Sequence, residues 1–507
     1  MCKLYYLFIL VSISFITDAS PTSNPNTGVF WQITDIHYDF NYSRFGNPGK
    51  LCHQSKTTNS TRSVGLFGNY KCDSPWTLVT TAIDGMKAIN AKPDFILWTG
   101  DSMSHVSDNQ SSLLKVYLTI RNVSNLIHSA FPNVSVFPVL GNHDPYPSNN
   151  MPIGSNYYEK IISMSGWKQF LGKSEQEQFM KGGFYVSTVV TGIRVIGLNT
   201  NLLYSKNPLV QGHKDPSNQF AWLIKQLEDA KSKGLKVYII SHIPPGAFER
   251  TSLKIKWFYP EYNQPYLDIL RRYSDVILAQ FYGHGHTDSF RILYNKTGYP
   301  INALYLSPAV TPWKSSLPGT GSNNPALRLY YYNRNTGQVL DYVQYFLNLT
   351  KANLEKKPVW EVEYHATKAY SIPDISAQSL NKVTKTFHRS SPTFELYFKY
   401  NSVSHGVQET CDTNCYYIQY CAIVNLDFND FDRCIFWRGT MPHPAHHRST
   451  IHHHHHKTKS PPDYAFYVIG GLALVVLILA LIVGCLCLGR HNQNAGYKYG
   501  KFVGPVN

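Results

Sequence analysis

Two histidines separated by one glycine, in Gly283-His284-Gly285-His286, follow the apolar run Val276-Ile277-Leu278-Ala279. Such a run reads as a buried strand, and the glycines as a sharp loop at its C-terminal end. Imidazole is a good ligand for zinc and iron, but one His-x-His pair on its own reads as solvated surface histidines. Matching donors elsewhere change that balance. Asp35 and His37, Asp101, Asn142 and His242 each follow another apolar run. A single Asp or Asn after a strand merely starts a turn; five strand ends carrying Asp, Asn or His call for another explanation. With His284 and His286 these donors suffice for two divalent ions, provided one carboxylate bridges. Asp101 is the candidate bridge, because a two-oxygen anion can touch both ions and offset their charge. A nitrogen and oxygen set without thiolate suits zinc, manganese or iron rather than calcium. Two such ions roughly 3.5–4 Å apart lower the pKa of a shared water and clamp the oxygens of an in-line phosphoryl displacement.

The elements that must position these groups alternate in type. Strands are predicted over residues 29–34, 95–98, 134–139, 193–198, 237–240, 276–279 and 301–306. Helices are predicted over residues 77–91, 113–131, 219–233 and 266–273. Strands alternating with helices imply an α/β fold, and such sheets place ligand sites beyond the C-terminal ends of their strands.

Taken in order, Asp35-Ile36-His37, Gly100-Asp101, Gly141-Asn142-His143-Asp144, His242 and Gly283-His284-Gly285-His286 resemble the signature of the calcineurin-like metallophosphoesterases. Several further runs resemble the acid sphingomyelinase-like phosphodiesterases within that superfamily. They are Cys72-Asp73-Ser74-Pro75, Asp215-Pro216 with Gln219-Phe220-Ala221-Trp222-Leu223, Ser241-His242-Ile243-Pro244-Pro245-Gly246, His286-Thr287-Asp288-Ser289-Phe290-Arg291 and Pro308-Ala309-Val310-Thr311-Pro312. The resemblance implies a β-sandwich flanked by helices. It implies two zinc ions, one on Asp35, His37, Asp101 and His286, the other on Asp101, Asn142, His242 and His284. It also implies that His143 faces the scissile phosphate as an acid or charge stabiliser, and that His105 protonates the leaving oxygen. Purple acid phosphatases would carry an iron-binding Tyr where this chain has Ser104, which disfavours a redox-active iron centre. Two departures stand out. The group often has Thr at the position of Gly285. Acid sphingomyelinase itself carries a saposin-like lipid-lifting domain, for which the lead before Val29 has no room, so soluble nucleotide-like substrates are expected ahead of bilayer sphingomyelin.

The ends of the chain point to the secretory route. Residues 1–20 combine Lys3, an apolar run and a small-residue end, as in a secretory signal peptide. Residues 464–488 are uncharged and long enough to cross a bilayer core of roughly 30 Å as a transmembrane helix. Basic residues flank this span almost equally (Arg448, Lys457 and Lys459 before it, Arg490, Lys498 and Lys501 after). The cleaved signal therefore decides for a type I orientation, with residues 489–507 as a cytoplasmic tail. Between signal and span the organisation reads as a catalytic domain over residues 21–353, a Cys-containing C-terminal region over 354–440, which resembles the small helical, disulfide-stapled one of those phosphodiesterases, and a His- and Pro-rich stalk over 441–463. Six cysteines lie on the outer side, and the simplest of their pairings joins neighbours: Cys52 with Cys72, Cys411 with Cys415, Cys421 with Cys434. N-glycosylation sequons occur at Asn41, Asn59, Asn109, Asn122, Asn133, Asn295 and Asn348.

A formal charge of +15 favours anionic partners, but the basic residues are scattered rather than striped, so no nucleic-acid polymer is expected. The leading expectation is a monomeric dizinc phosphodiesterase of the cell surface or endolysosomal lumen. It would hydrolyse phosphodiester or phosphoanhydride bonds of soluble substrates, such as extracellular nucleotides, by attack of metal-activated water. Cleavage of sphingomyelin to phosphocholine and ceramide is the alternative, and a catalytically silent adhesion or receptor ectodomain is the alternative of another class.

Overall fold

The computed structural model describes residues 25–54, 62–189, 192–406 and 410–440. The expected signal peptide (1–20), stalk (441–463), transmembrane helix (464–488) and tail (489–507) lie outside them, as does the sequon at Asn59. Among the described residues no helix is long and apolar enough to cross a membrane.

The strands are β1 (Thr27–Ile33), β2 (Tyr42–Asn47), β3 (Phe95–Trp98), β4 (Ser135–Pro138), β5 (Tyr185–Thr188), β6 (Arg194–Gly197), β7 (Val237–Ile240), β8 (Ile277–Tyr282), β9 (Ser289–Tyr294), β10 (Pro300–Leu306), β11 (Ala326–Asn333), β12 (Val339–Leu347) and β13 (Trp360–His365). The α-helices are α1 (Trp76–Ile89), α2 (Leu113–Ala130), α3 (Tyr157–Met164), α4 (Lys173–Phe179), α5 (Gln219–Ser232), α6 (Pro260–Arg272), α7 (Leu349–Glu355), α8 (Ala366–Tyr370), α9 (Ala377–Thr386), α10 (Pro392–Asn401), α11 (Thr413–Val424) and α12 (Phe428–Thr440). Twelve of the strands form two six-stranded sheets, ordered β13-β12-β11-β1-β3-β4 and β5-β6-β7-β8-β10-β9. Three consecutive strands run parallel in the first sheet, β1-β3-β4, and four in the second, β6-β7-β8-β10, so within each sheet their C-terminal ends emerge on one side. The apolar runs of β3, β4, β6 and β7 need burial, and helices and the facing sheet supply it.

The two sheets meet through aromatic rings. Phe30 of β1 stacks on Phe95 and Tyr330 within its own sheet, and meets Phe281 of the other sheet edge-on with centroids 5.4 Å apart. A polar bolt crosses the same layer: the buried Gln32 amide donates to the Tyr282 carbonyl at 3.0 Å and accepts from the Tyr330 hydroxyl at 3.0 Å. Burying a side-chain amide is tolerable because its groups are paired.

Two expectations change. The helix foreseen from residue 266 begins at Pro260, because a proline suits the first helical turn, and it continues through Pro265. The region 354–440 is not wholly helical. Residues Trp360–His365 form the edge strand β13 of the first sheet, pairing with β12. The Trp360 ring packs against Gly85 of α1, where a Cβ would meet it at 2.6 Å. The helices that follow dock on the second sheet: Tyr305 donates to the Ile375 carbonyl at 2.6 Å, Tyr294 to Asn381 Oδ1 at 2.9 Å. Cysteines pair as neighbours, Cys52–Cys72, Cys411–Cys415 and Cys421–Cys434.

Candidate functional site

Asp35 and His37 follow β1, Asp101 follows β3, Asn142 and His143 follow β4, His242 follows β7, and His284 and His286 follow β8. All seven donor side chains named from the sequence come together, and both sheets contribute. The loops achieve this with unusual backbone. Asp35, His37, Asp101, His284 and His286 have φ of 49°, 44°, 54°, 68° and 58°. Left-handed non-glycine residues cost about 1–3 kcal/mol each and persist only where the surroundings over-determine them.

The over-determination is visible. The Asp35 carboxylate accepts the His284 backbone N–H at 3.0 Å and the Thr34 hydroxyl at 2.6 Å, tying the β1 loop to the β8 loop. Asp144 accepts from the backbone of Gly141, Asp101 and Ser102 at 2.7, 3.1 and 2.9 Å, tying the β4 loop to the β3 loop. Two glycines are demanded by close approach. A Cβ on Gly141 would stand 2.0 Å from Asp101 Oδ1, and one on Gly283 would stand 2.0 Å from Thr34 Oγ1.

The donors form two groups joined at Asp101. Asp35 Oδ1 lies 3.3 Å from His286 Nε2, which lies 3.2 Å from His37 Nε2, which lies 3.4 Å from Asp101 Oδ2. On the other side Asp101 Oδ2 lies 3.1 Å from His242 Nε2, which lies 3.0 Å from Asn142 Oδ1; His284 Nδ1 is 2.8 Å from that same oxygen. His37 and His242 each turn Nδ1 to a backbone carbonyl, Met103 at 2.7 Å and Thr99 at 2.8 Å. That fixes the tautomer and leaves Nε2 as the acceptor facing the group, the arrangement common for metal-binding imidazoles.

Acceptors thus face acceptors in a buried space. Burial opposes charge on His37, yet Asp35 and Asp101 hold it up at about 9. His242 is held at about 9 against burial by Asp101 and Asp35. Burial also opposes ionisation of Asp35 and Asp101, but His242 and the neighbouring histidines pull both carboxyls well below their usual range. A buried set that needs protons on two imidazoles to balance two carboxylates is one that accepts cations, and its donor chemistry fits two divalent ions.

Over this set opens a pocket of about 350 Å³, lined by His105, His143, Tyr204, Lys206, Phe248, Trp257 and Trp313, among others. His143 donates its backbone N–H to Asp101 Oδ1 at 2.8 Å, and its ring meets that of His105 edge-on with centroids 4.4 Å apart. Burial, then His37 and His286, push His105 well below the ordinary histidine value; burial and His105 do the same to His143. Gly285 lines the same pocket, and a Cβ there would meet nothing closer than 3.2 Å.

Residues 28–288 match the calcineurin-like phosphoesterase family, and residues 299–440 match the acid sphingomyelin phosphodiesterase C-terminal region. The chain belongs to the calcineurin-like phosphoesterases. It is 42% identical over 423 residues to acid sphingomyelinase-like phosphodiesterase 3b of Homo sapiens, covering 82% of this chain and 92% of that protein. It is 40% identical over 415 residues to the human cyclic GMP-AMP phosphodiesterase SMPDL3A, covering 81% and 90%. To sphingomyelinase phosphodiesterase C of Dictyostelium discoideum it is 35% identical over 443 residues, covering 85% and 98%. It is accordingly an enzyme of the phosphodiesterase type, and the Asp and His cluster is this phosphoesterase's candidate for the family's dinuclear metal centre.

Sequence reasoning gave no role to several residues of this phosphoesterase's pocket. Tyr204, Lys206 and Trp257 carry no motif signal, since they reach the pocket from loops whose course depends on the fold. Trp313 lines the pocket and Asp73 lies behind it, and both touch His105, which neighbouring sequence does not signal.

Of the sequons, Asn41, Asn109 and Asn133 are exposed, and Asn122, Asn295 and Asn348 are half-buried. The side-chain carbonyl of Asn348 caps α7 through Lys351 N at 3.0 Å, leaving its amide nitrogen as the group a glycan would use.

Proposed function

We propose that this phosphoesterase is a dinuclear zinc phosphodiesterase acting on soluble, nucleotide-like substrates on the outer side of the membrane or in the endolysosomal lumen. The observation that carries the reading is the convergence of two carboxylates, four imidazoles and one amide, with Asp101 Oδ2 facing His37 and His242 at 3.4 and 3.1 Å. Asp35, His37, Asp101 and His286 would hold one ion, and Asp101, Asn142, His242 and His284 the other. When bound, the pair supplies a nucleophilic water near neutral pH and offsets charge on the phosphoryl oxygens. The chain's own residues do the rest. His143, set beside Asp101 by its backbone hydrogen bond, meets a phosphoryl oxygen and balances the charge that grows there. His105 gives a proton to the leaving oxygen.

The pocket favours nucleotides, because flat rings at Phe248, Trp257, Tyr204 and Trp313 suit a base and Lys206 suits a further phosphate. A cyclic dinucleotide belongs in the test set because a relative is named for that activity. Sphingomyelin is the second reading, supported by relatives named for it. Three disulfides fit an oxidising compartment, and residues 464–488 would anchor the chain as a type I protein.

The purified protein is to be assayed with ATP, a nitrophenyl nucleotide diester, cyclic GMP-AMP and micellar sphingomyelin, with and without chelator. Chelator-sensitive turnover of the nucleotides with little on sphingomyelin is expected. Preference for sphingomyelin would select the second reading, and rates indifferent to zinc stripping would end the metal mechanism.

A further inference from the structure

Asp73 directly follows Cys72, which is joined to Cys52, and it is fully buried. Its two oxygens serve one histidine. Oδ1 accepts the His105 Nδ1–H at 2.9 Å, and Oδ2 accepts the His105 backbone N–H at 2.6 Å; the Thr311 hydroxyl adds a third bond to Oδ1 at 3.2 Å. An ionised carboxylate only accepts, so the proton between the side chains sits on Nδ1. The His105 ring is held from both faces, stacked on Trp313 at 3.8 Å and on His37 at 4.0 Å. With Nδ1 turned to Asp73, Nε2 is the nitrogen left to face the pocket that His105 lines. The loop carrying Asp73 is itself fastened to the site: Ser74 N–H donates to the His37 carbonyl at 3.1 Å, and Asp39 N–H to the Ser74 carbonyl at 3.0 Å.

We infer that Asp73 is a positioning residue of the reaction, fixing His105 in the tautomer and orientation that present Nε2 to the leaving oxygen. The inference rests on the role given to His105 above. For the transfer Nε2 first takes a proton from solvent, giving an imidazolium whose Nδ1–H Asp73 holds; as the bond between phosphorus and the leaving oxygen breaks, its electron pair stays on that oxygen, which takes the proton from Nε2. His105 is left neutral with its remaining proton on Nδ1, where Asp73 holds it. A ring without this partner loses both the fixed tautomer and the anchored edge.

The test compares full-length Asp73→Asn, His105→Ala and the double variant on two diesters of thymidine monophosphate. One has a nitrophenol leaving group, which departs without a proton; the other has methanol, which does not. Asp73→Asn and His105→Ala are each expected to lower kcat on the methyl ester by about 10²–10³-fold, with less than about tenfold loss on the nitrophenyl ester. The double variant should fall no further than His105→Ala alone, since residues acting as a unit are not additive. Bound zinc should remain at the wild-type level. Equal losses on both esters in Asp73→Asn, with His105→Ala still discriminating, would overturn the inference and leave the reading of His105 intact. Failure of His105→Ala to discriminate would overturn both. Histidine nitrogen NMR of the zinc-loaded wild type, assigned against His105→Gln, keeps the question decidable if Asp73→Asn does not fold. It should show His105 protonated on Nδ1, and a resting Nε2–H tautomer would overturn the inference.

Discussion

Asp101 Oδ2 stands 3.1 Å from His242 Nε2, while His242 turns its other nitrogen to the Thr99 carbonyl at 2.8 Å. The oxygen that faces His242 also faces His37 at 3.4 Å, so one atom belongs to both donor groups. Loss of its charge should therefore empty both. Asp101→Asn is expected to retain less than one equivalent of zinc after dialysis and no measurable hydrolysis, whereas His284→Ala should lose about one of the two ions. Elemental analysis decides; two equivalents retained by Asp101→Asn would refute the bridging role.

His143 holds Asp101 Oδ1 through its backbone N–H at 2.8 Å, a bond that side-chain truncation leaves in place. His143→Ala should accordingly keep both ions and lose about 10²–10³-fold in kcat, the scale of one positioned acid or charge stabiliser. Metal content and steady-state kinetics measured on the same preparation check this. Wild-type turnover would remove the role, and loss of zinc would assign the ring to ligation instead.

The histidines of the metal-free site make its stability depend on pH in a definite direction. His37 and His242 rise from their ordinary 6.5 to about 9, as Asp35 and Asp101 outweigh burial. A raised histidine contributes stability fully below its unfolded value and loses it as pH climbs through the folded one. Asp35 and Asp101, held low, stay ionised throughout. Between pH 6.5 and about 9 the metal-free site thus moves from balanced to net negative, and added zinc, which needs neutral imidazoles, would take the place of the lost protons. The difference in Tm between zinc-loaded and chelated protein should widen across that window. Calorimetry of both forms checks it, and a difference that narrows would contradict the assignment.

How much of this was legible in the sequence follows from what each residue signals. Asp35, His37, Asp101, Asn142, His242, His284 and His286 could be found because parallel strands put their C-terminal ends together, and a polar residue after an apolar run marks such an end. The choice of Asp101 as the shared donor came from the same reasoning, since a carboxylate is a group able to face two ions, whereas the sorting of the other donors into two sets came from the family resemblance. Spacing could not show the left-handed backbone at five of these positions, because positive φ in Asp and His is imposed by tertiary bonds such as Asp35 to His284 N at 3.0 Å. Nor could it reveal β11 and β12, whose tyrosine-rich runs carry no chemistry at their ends. The strand β13 escaped because an edge strand is half exposed and its alternation is short.

Among the side chains by which the C-terminal region reaches the candidate metal site, that of Asn401 is tied most fully to the loop after β8. Asn401, the last residue of α10, donates its amide to the Asp288 carbonyl at 2.9 Å and to Glu249 Oε1 at 3.3 Å, while its own carbonyl accepts Asp288 N–H at 3.3 Å. Glu249 Oε1 in turn accepts the hydroxyl of Thr287 at 2.6 Å, and Thr287 is covalently next to His286. All four residues are buried, so losing the amide leaves a carboxylate and a carbonyl short of a donor with no water to replace it. The strain should fall on His286 first and on the ion shared with Asp35 and His37, with His242 and His284 standing on the far side of Asp101. Asn401→Ala is therefore expected to weaken one zinc by about tenfold, the low end of what losing a ligand's direct hydrogen-bond partner costs because Asn401 acts through Asp288 and Glu249, while the other ion keeps its affinity. Competition with a chromogenic chelator resolves the two classes. Equal weakening of both would mean that the substitution loosens the whole domain rather than the loop that carries His286.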